Sequence, residues 1–427
     1  MKTRKAYKYR LYPSKTQVKS FENTLQICRE LYNACLQERR DAYRTWERVN
    51  KGIALYPICD GVFFAKENVS RPDAPPPPQI NYYTQANQLP ELKKIWPELG
   101  AVHSQVLQNV LKRVDLAFQA FFLRVKQGET PGYPRFKGKY RYDSFTYPGG
   151  GWSLRNNKLT IHGAGIIKLK LHREAIGKVK TCTIKREGEK WFVVFSLESE
   201  LEVPLQHEGP AVGIDVGLEH FANLSNGEQI ENPRFYRKAE KRLAKAQRQW
   251  SAVKKLGRDN PKRGKKGLAV KLAHKKIANC RKDFQDKLSR ELVKRFSLIV
   301  VEDLKIRNLV RKAKPKEDAD NPGQFLPNGG AAQSGRSKSI QDAGWATFIA
   351  KLGYKAEEAG SKLIEVDPRN TSRTCPECGL VAVKKLSERW HSCECGCEMH
   401  RDVAAAIVIL SRGLATLRNQ SVEAPRL

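Results

Sequence analysis

AVGIDVGLEHFANLS (residues 211–225) opens with a short apolar run that ends on an acid, Asp215, and turns through Gly217 into a second apolar run. The same texture returns at FSLIVVEDL (296–304), nearly continuous in branched aliphatic residues up to Glu302. Runs of this kind mark strands buried on both faces. A carboxylate ending such a strand is costly unless something offsets its charge. A third acid, Asp402, opens the helical pattern HRDVAAAIVILSRG (400–413), directly after His400 and Arg401. Taken singly, each reads as a turn or cap acid. Converging from three elements, they would make a site of hard oxygen donors for divalent cations. Two Mg²⁺ ions ~3.5–4 Å apart can activate a water and stabilise the leaving oxygen of an in-line phosphodiester displacement. Asp303 adjoins Glu302, but period-2 alternation points it to the opposite face.

Composition says what such a site would act on. The chain has 427 residues, 78 Lys+Arg against 45 Asp+Glu, and a formal net charge of +33. That excess repels itself and implies a polyanionic partner. Hydrophobic residues at 40% supply a core, which excludes a disordered basic tail. The length suggests two to four folded units. Runs of 18 apolar residues are absent, so no membrane span is expected. The basic start, Met1 to Lys5, lacks the apolar stretch of a secretory signal.

Upstream, residues 3–12 alternate as a strand ended by Pro13, and Ser14 stands where a helix N-cap belongs. Val18, Phe21, Leu25, Cys28, Leu31, Tyr32 and Cys35 then predict an amphipathic helix to about Trp46. RPDAPPPPQ (71–79) reads as a linker or surface loop. Helical spacing returns from Ser104 to Lys126. From 131 onward, short strands separated by Gly and Asn turns predict a small antiparallel barrel joined by the N-terminal strand. The helical stretch 14–130 is then an insertion into that barrel. Residues 234–296 form two long helical patterns broken by GRDNPKRGKKG, and more than a third of them are Lys or Arg. That density predicts contact with phosphates and salt-sensitive binding. Residues 310–338, rich in Gly, Pro and Lys, read as a loop, 339–360 as a helix and SKLIEVDP as a strand.

Five of the ten cysteines (Cys375, Cys378, Cys393, Cys395, Cys397) cluster, which points to a metal site in a reducing compartment and away from a disulfide framework. Cys375 and Cys378 have the C-x-x-C spacing of a zinc knuckle. In the second knuckle Gly396 follows Cys395 as Gly379 follows Cys378, so Cys393 and Cys395 are assigned as ligands. Cys397 is a spare, and His391 and His400 are possible substitutes. Four protein ligands leave no open position, so this Zn²⁺ is structural. GYPRFKGKYRYDSFTYP (132–148) interleaves bases with aromatics, and Arg135, Lys137, Lys139, Tyr140 and Arg141 suit stacking and phosphate contact. The histidines at 103, 162, 172, 207, 220 and 274 show no ligand spacing and are read as structural.

GIDVGL (213), VVEDL (300), SIQDAGW (339), TSRTCPECG (371) and HRDVAAA (400), with YRLYPSKTQ (9) and GYPRFKGK (132), resemble the TnpB proteins of bacterial insertion-sequence transposons. Those are related to type V CRISPR effectors. The resemblance implies an α+β multidomain RNA-guided DNA endonuclease. Its expected parts are an antiparallel β-barrel wedge domain (1–13 and 131–208) with a helical recognition insertion (14–130), and an RNase H-like RuvC α/β nuclease domain (209–372 and 400–413). A zinc ribbon (373–399) is inserted before the last acid, and 414–427 is a tail. Asp215, Glu302 and Asp402 fall on the family's catalytic carboxylates, and Gln108 on a glutamine that reads the target-adjacent motif in a relative. The implied partners are a guide RNA and double-stranded target DNA, in the cytoplasm at the nucleoid, with no membrane. Two Mg²⁺ ions and one Zn²⁺ are the implied cofactors, and a monomer or RNA-bridged dimer suffices. A catalytically silent, guided DNA-binding repressor and a strand-joining transposase are the alternatives.

Overall fold

The computed structural model describes residues 2–50, 79–139, 141–200, 207–257, 260–321, 323–384 and 388–423. The chain divides into two compact units, residues 1–201 and 202–427. Two sequence readings fall outside the described residues: the linker at 71–79, except for Gln79, and the side chain of Tyr140.

The first unit begins with strand β1 (Lys2–Tyr12) and helix α1 (Lys15–Asn50). Ser14 caps α1 as its position predicts. Its hydroxyl accepts the Gln17 N–H at 3.3 Å, and the Gln17 side chain accepts the Ser14 N–H at 3.0 Å, a reciprocal capping box. Two short helices follow, α2 (Tyr82–Asn87) and α3 (Leu89–Ile95), and then α4 (Ser104–Lys126). Six strands complete the unit: β2 (Ser144–Tyr147), β3 (Trp152–Arg155), β4 (Lys158–Ile161), β5 (Gly165–Lys170), β6 (Lys178–Glu187) and β7 (Lys190–Glu200). All pairings are antiparallel, in the order β2-β6-β7-β1-β5-β4-β3. β2 and β3 are therefore edges, and the expected barrel is an open, half-barrel sheet. The predicted apolar faces of α1 and α4 share one core with the sheet, where Phe21 meets Trp191 at 5.0 Å and Phe145 at 5.7 Å. Each such ring burial stabilises by roughly 1.5–3 kcal/mol.

The second unit is built on a five-stranded sheet. Its strands are β8 (Ala211–Asp215), β9 (His220–Leu224), β10 (Gln229–Glu231), β11 (Leu298–Glu302) and β12 (Lys362–Val366), in the order β10-β9-β8-β11-β12. The first three meander antiparallel, and β8, β11 and β12 run parallel. Between β10 and β11 lies a basic helical hairpin, α5 (Phe235–Lys255) and α6 (Lys262–Arg295). The break between these helices is shorter than predicted, because KRGKKG is already helical. After the short α7 (Ile306–Leu309) come α8 (Gly330–Ala343) and α9 (Trp345–Ala359). A hairpin, β13 (Trp390–Ser392) and β14 (Glu398–His400), precedes the last helix, α10 (Arg401–Glu423).

Two sequence readings need correction here. The loop expected over 310–338 becomes helix at Gly330. Ser, Gly and Gln in GAAQSGRSKS signal a loop locally. Tertiary partners override that signal: the Gln333 amide donates to the Leu309 and Arg311 carbonyls, and Lys338 pairs with Glu240 at 2.8 Å. The single helix expected over 339–360 is two, hinged at Gly344, which has φ of +70°. The buried Gln285 amide holds that hinge by donating to the Ala343 and Gly344 carbonyls.

The packing alternates along β11. Ile299 and Val301 join the core beneath α6 and α9, whereas Leu298 and Val300 join the one under α10. α10 also runs ten residues beyond the expected end at Gly413. That glycine is a contact residue and not a helix stop: a Cβ there would lie 2.4 Å from Val300 Cγ2.

Candidate active site and cysteine hairpin

Period-2 alternation fixes where the acids face. In β8, Val212 and Ile214 point to the α6/α9 core, so Gly213 and Asp215 point to α10. In β11, Glu302 continues the Leu298 and Val300 face, again toward α10. Because β8 and β11 are adjacent and parallel, with Ile214 opposite Val301, Asp215 and Glu302 leave the sheet side by side at its carboxyl end. Asp402 sits in the first turn of α10, where the helix dipole favours an anion. Its backbone N–H donates to His400 Nδ1 at 3.3 Å.

Glycine sets how closely α10 approaches. A Cβ on Gly213 would stand 2.0 Å from the Ala406 carbonyl oxygen and 2.7 Å from the Leu410 nitrogen. Backbone cannot yield to that degree, so only Gly lets the helix descend onto β8 and carry Asp402 to the strand ends. Ala404, Ala405 and Ala406 are the buried small residues of the same interface.

Asp215 feels both of the other acids. Burial pushes the Asp215 carboxyl well above its ordinary pKa, the negative charges of Glu302 and Asp402 push it further, and Arg401 partly offsets them. Burial also raises Glu302, against the hydrogen bond from Thr371 and the charge of Arg412. Thr371 Oγ1 donates to Glu302 Oε1 at 2.6 Å in a buried setting. Arg412 donates to the carbonyls of Asp367 at 2.7 Å and Arg369 at 2.8 Å, closing the loop after β12 beside Glu302. Asp215 and Asp402 keep accessible edges, whereas Glu302 is buried. Asp303 instead pairs with Lys305 at 2.5 Å, as its opposite facing requires.

The cysteines form a tighter cluster. Gly379 and Gly396 both take left-handed backbone, φ +75° and +88°, and turn their knuckles back through Gly379 N–H to Cys375 O and Gly396 N–H to Cys393 O. Cys375, Cys378, Cys393 and Cys395 have donor sulfurs within 4.8 Å of one another. Sγ–Sγ distances of 3.6 Å (Cys375–Cys395) and 3.5 Å (Cys378–Cys393) are close to the ~3.8 Å edge of a tetrahedron with ~2.3 Å Zn–S bonds. Burial alone would raise the Cys375 thiol, but the backbone N–H groups of Cys378 and Glu377 help bring it down to about 5. The donor set fits a soft tetrahedral ion. Among the described residues, the sets of three or more such donors within 4.8 Å all lie in this hairpin; the carboxylate trio is more open.

Of the nucleic-acid candidates, Gln108, Arg135, Lys139 and Arg141 are exposed. Lys137 is half-buried, with its backbone bonded on both sides by the Asn33 amide and its ammonium 5.6 Å over Tyr32. Tyr142, Phe145 and Tyr147 belong to the core, which among the described residues of this segment leaves Tyr133 and Phe136 as the exposed aromatics. Sequence reading missed their neighbours, Arg40, Tyr43 and Arg44 of α1, which line one groove with Tyr133 and Arg135. Those residues lie some ninety positions upstream, and only the fold joins them.

Comparison with known proteins places the chain. It is 32% identical over 317 residues to the "Putative RNA-guided DNA endonuclease InsQ" of Escherichia coli strain K12, covering 74% of this chain and 75% of that one. A "Putative RNA-guided DNA endonuclease" of Streptomyces pristinaespiralis is 30% identical over 421 residues, covering 96% and 90%. The chain belongs to the TnpB family. Three family models match it: the OrfB_IS605 "Probable transposase" over residues 194–313, the "Cas12f1-like, TNB domain" over 345–409, and an OrfB_IS605 "Helix-turn-helix domain" over 1–48. In this TnpB-family chain residues 2–48 are in fact one strand and part of one long helix. A solved Cas12f1–sgRNA–target DNA complex is 15% identical with a TM-score of 0.33, covering 96% of this chain and 100% of that one. Among the described residues, no helix is long and apolar enough to cross a membrane.

Proposed function

We propose that this TnpB-family chain is an RNA-guided DNA endonuclease with one phosphodiester-hydrolysing site, formed by Asp215, Glu302 and Asp402. The observation that carries the reading is a largely buried carboxylate, Asp215, that feels the charges of two others, with the three standing at the ends of β8 and β11 and the start of α10. Acids held together against their own repulsion fit a dication, and oxygen donors select a hard one such as Mg²⁺. Two ions ~3.5–4 Å apart, each about 2 Å from its ligands, spread carboxylate oxygens over as much as ~8 Å. A two-metal trio can therefore be more open than a zinc tetrahedron.

The bound ions would supply an activated water and charge stabilisation at the scissile phosphate. Asp215 and Asp402 would hold the metals most directly. Glu302 would complete the set, its rotamer fixed by Thr371. Arg401 and Arg412 limit the repulsion while keeping their own donors engaged with the loop before β13 and the loop after β12. Cys375, Cys378, Cys393 and Cys395 would hold one structural Zn²⁺.

We read the five-stranded sheet with α10 as the RNase H-like nuclease domain (209–372 and 400–413) and 373–399 as its zinc ribbon. The half-barrel (1–13 and 131–208) and its helical insertion (14–130) would be the wedge and recognition domains. The relatives' names, together with a net charge of +33, support a guide RNA and target DNA as partners, in the cytoplasm. Gln108 would meet the target-adjacent motif. Arg135, Lys137, Lys139, Tyr140 and Arg141 would meet phosphates and bases.

The test is to express the chain from its native flanking DNA, sequence the RNA that co-purifies, and present a plasmid matching it. Linear product that requires Mg²⁺ and disappears in EDTA is expected. Guided binding without cutting would establish the silent repressor instead, and joined strands the transposase.

A further inference from the structure

The cysteine hairpin holds more soft donors than one zinc needs, and the surplus is not scattered. Cys375, His391 and Cys397 form a second set whose donor atoms lie within 4.8 Å of one another. This set shares Cys375 with the four-cysteine quartet. Its members are the deeply buried ones, exposed by only 2%, 1% and 3%, whereas Cys378 and Cys395 are exposed. His391 lies on β13 opposite Met399, and Cys397 stands just before β14, so the β13–β14 pairing fixes both.

His391 sharpens the point. Its Nδ1 is engaged by Lys384 Nζ, and its Nε2 is buried with no hydrogen-bond partner. An orphan buried nitrogen carries an uncompensated desolvation cost. A residue serving packing alone would not need a ring nitrogen within reach of the Cys375 and Cys397 sulfurs, where a soft cation can be held. As a packing residue Cys397 would be an ordinary buried small hydrophobe. Beside a buried imidazole and a shared thiol, it is a ligand in reserve.

We propose that His391 and Cys397, with Cys375, form an inner standby ligand set for the same metal ion, taking it over when a thiolate of the second knuckle is lost. The outer quartet is closed, with four protein sulfurs. The inner set has two sulfurs and one nitrogen and leaves a fourth position for water. One ion is held throughout, with the Cys375 thiolate common to both sets.

The test uses the full-length protein loaded with Co²⁺, whose thiolate charge-transfer and d–d absorption report the number of sulfur ligands, together with metal content per chain. Wild type and C397A should both hold one ion with a four-sulfur spectrum. C395A should keep one ion with fewer sulfurs and about 10–100-fold weaker affinity. C395A/C397A and C395A/H391F should lose stoichiometric metal. If C395A and C395A/C397A bind alike, whether both retain or both lose the ion, the standby set is overturned. A wild type that takes up no metal overturns the quartet as well. A chelator competition on wild type and C397A, both with the quartet intact, is the second readout. Faster zinc loss from C397A supports the standby set, and equal rates contradict it. None of these readouts depends on nuclease activity, so they are independent of the guided-endonuclease reading.

Discussion

The carboxylate pocket and the cysteine hairpin lie in the same unit and are built in opposite ways. The hairpin takes its four sulfurs from residues 375–395, two glycine-hinged turns that need little beyond themselves and an ion. The pocket takes its oxygens from positions 215, 302 and 402, and nothing local brings them together. Two parallel strands, their alternation and a glycine-lined helix contact do so. A soft-ligand site can therefore be a peptide property, whereas a hard-ligand site of this kind is a property of the packed domain. The two should fail differently when disturbed.

The largest effect should come from the oxygens. Asp215→Ala or Asp402→Ala should lower guided cleavage at least about a thousandfold, equivalent to ~4 kcal/mol of barrier. RNA co-purification and target binding, followed by gel shift, should remain. Loss of binding together with cutting would show these acids to be structural. Next come the glycines that seat α10. Gly213→Ala drives a Cβ into the Ala406 carbonyl and should cost about 3 kcal/mol or more, lowering the melting temperature of the second unit by roughly 5–10 °C. Gly413→Ala meets only the Val300 side chain and should cost less.

Thr371 offers a finer cut. Thr371→Val keeps the shape but removes the donor to Glu302, and cleavage should fall about 10–100-fold with weaker apparent Mg²⁺ affinity. Thr371→Ser should restore most of it, which a purely steric role would not predict. On the hairpin side, Cys375→Ala removes the sulfur common to both ligand sets and should release zinc and loosen residues 373–399, read as lost hydrogen-exchange protection there with little change in the sheet. The smallest effect is a control. Asp303→Asn, one residue past the end of β11, should change cleavage less than about twofold, since its exposed pair with Lys305 is worth little.

Legibility in the sequence followed the same division. The Cys quartet could be proposed from the C-x-x-C spacing of the first knuckle and from Gly396 following Cys395 as Gly379 follows Cys378, because the turn that presents each knuckle is local. Ser14, the apolar face of α1 and both ends of α4 were legible for the same reason. Asp402 opens a helix and reads singly as a cap acid, whereas Asp215 and Glu302 were legible as candidates because an apolar strand ending in a charge violates its own pattern. Their supports were not: Thr371 and Arg412 are ordinary residues until the loop after β12 folds against Glu302. Arg40 and Arg44 likewise reach Tyr133 and Arg135 only through tertiary packing. The helix at 330–338 was hidden by loop-like composition, and the length of α10 by a glycine whose purpose is to let Val300 approach.

The most direct measurement of the central claim is anomalous diffraction from crystals of the protein soaked in Mn²⁺, a hard dication with its own scattering signature. The account requires peaks between β8, β11 and the start of α10, within coordination distance of Asp215, Glu302 and Asp402, and lost in Asp215→Ala. Manganese bound elsewhere, or a pocket that stays empty while the acids remain as placed, would contradict it.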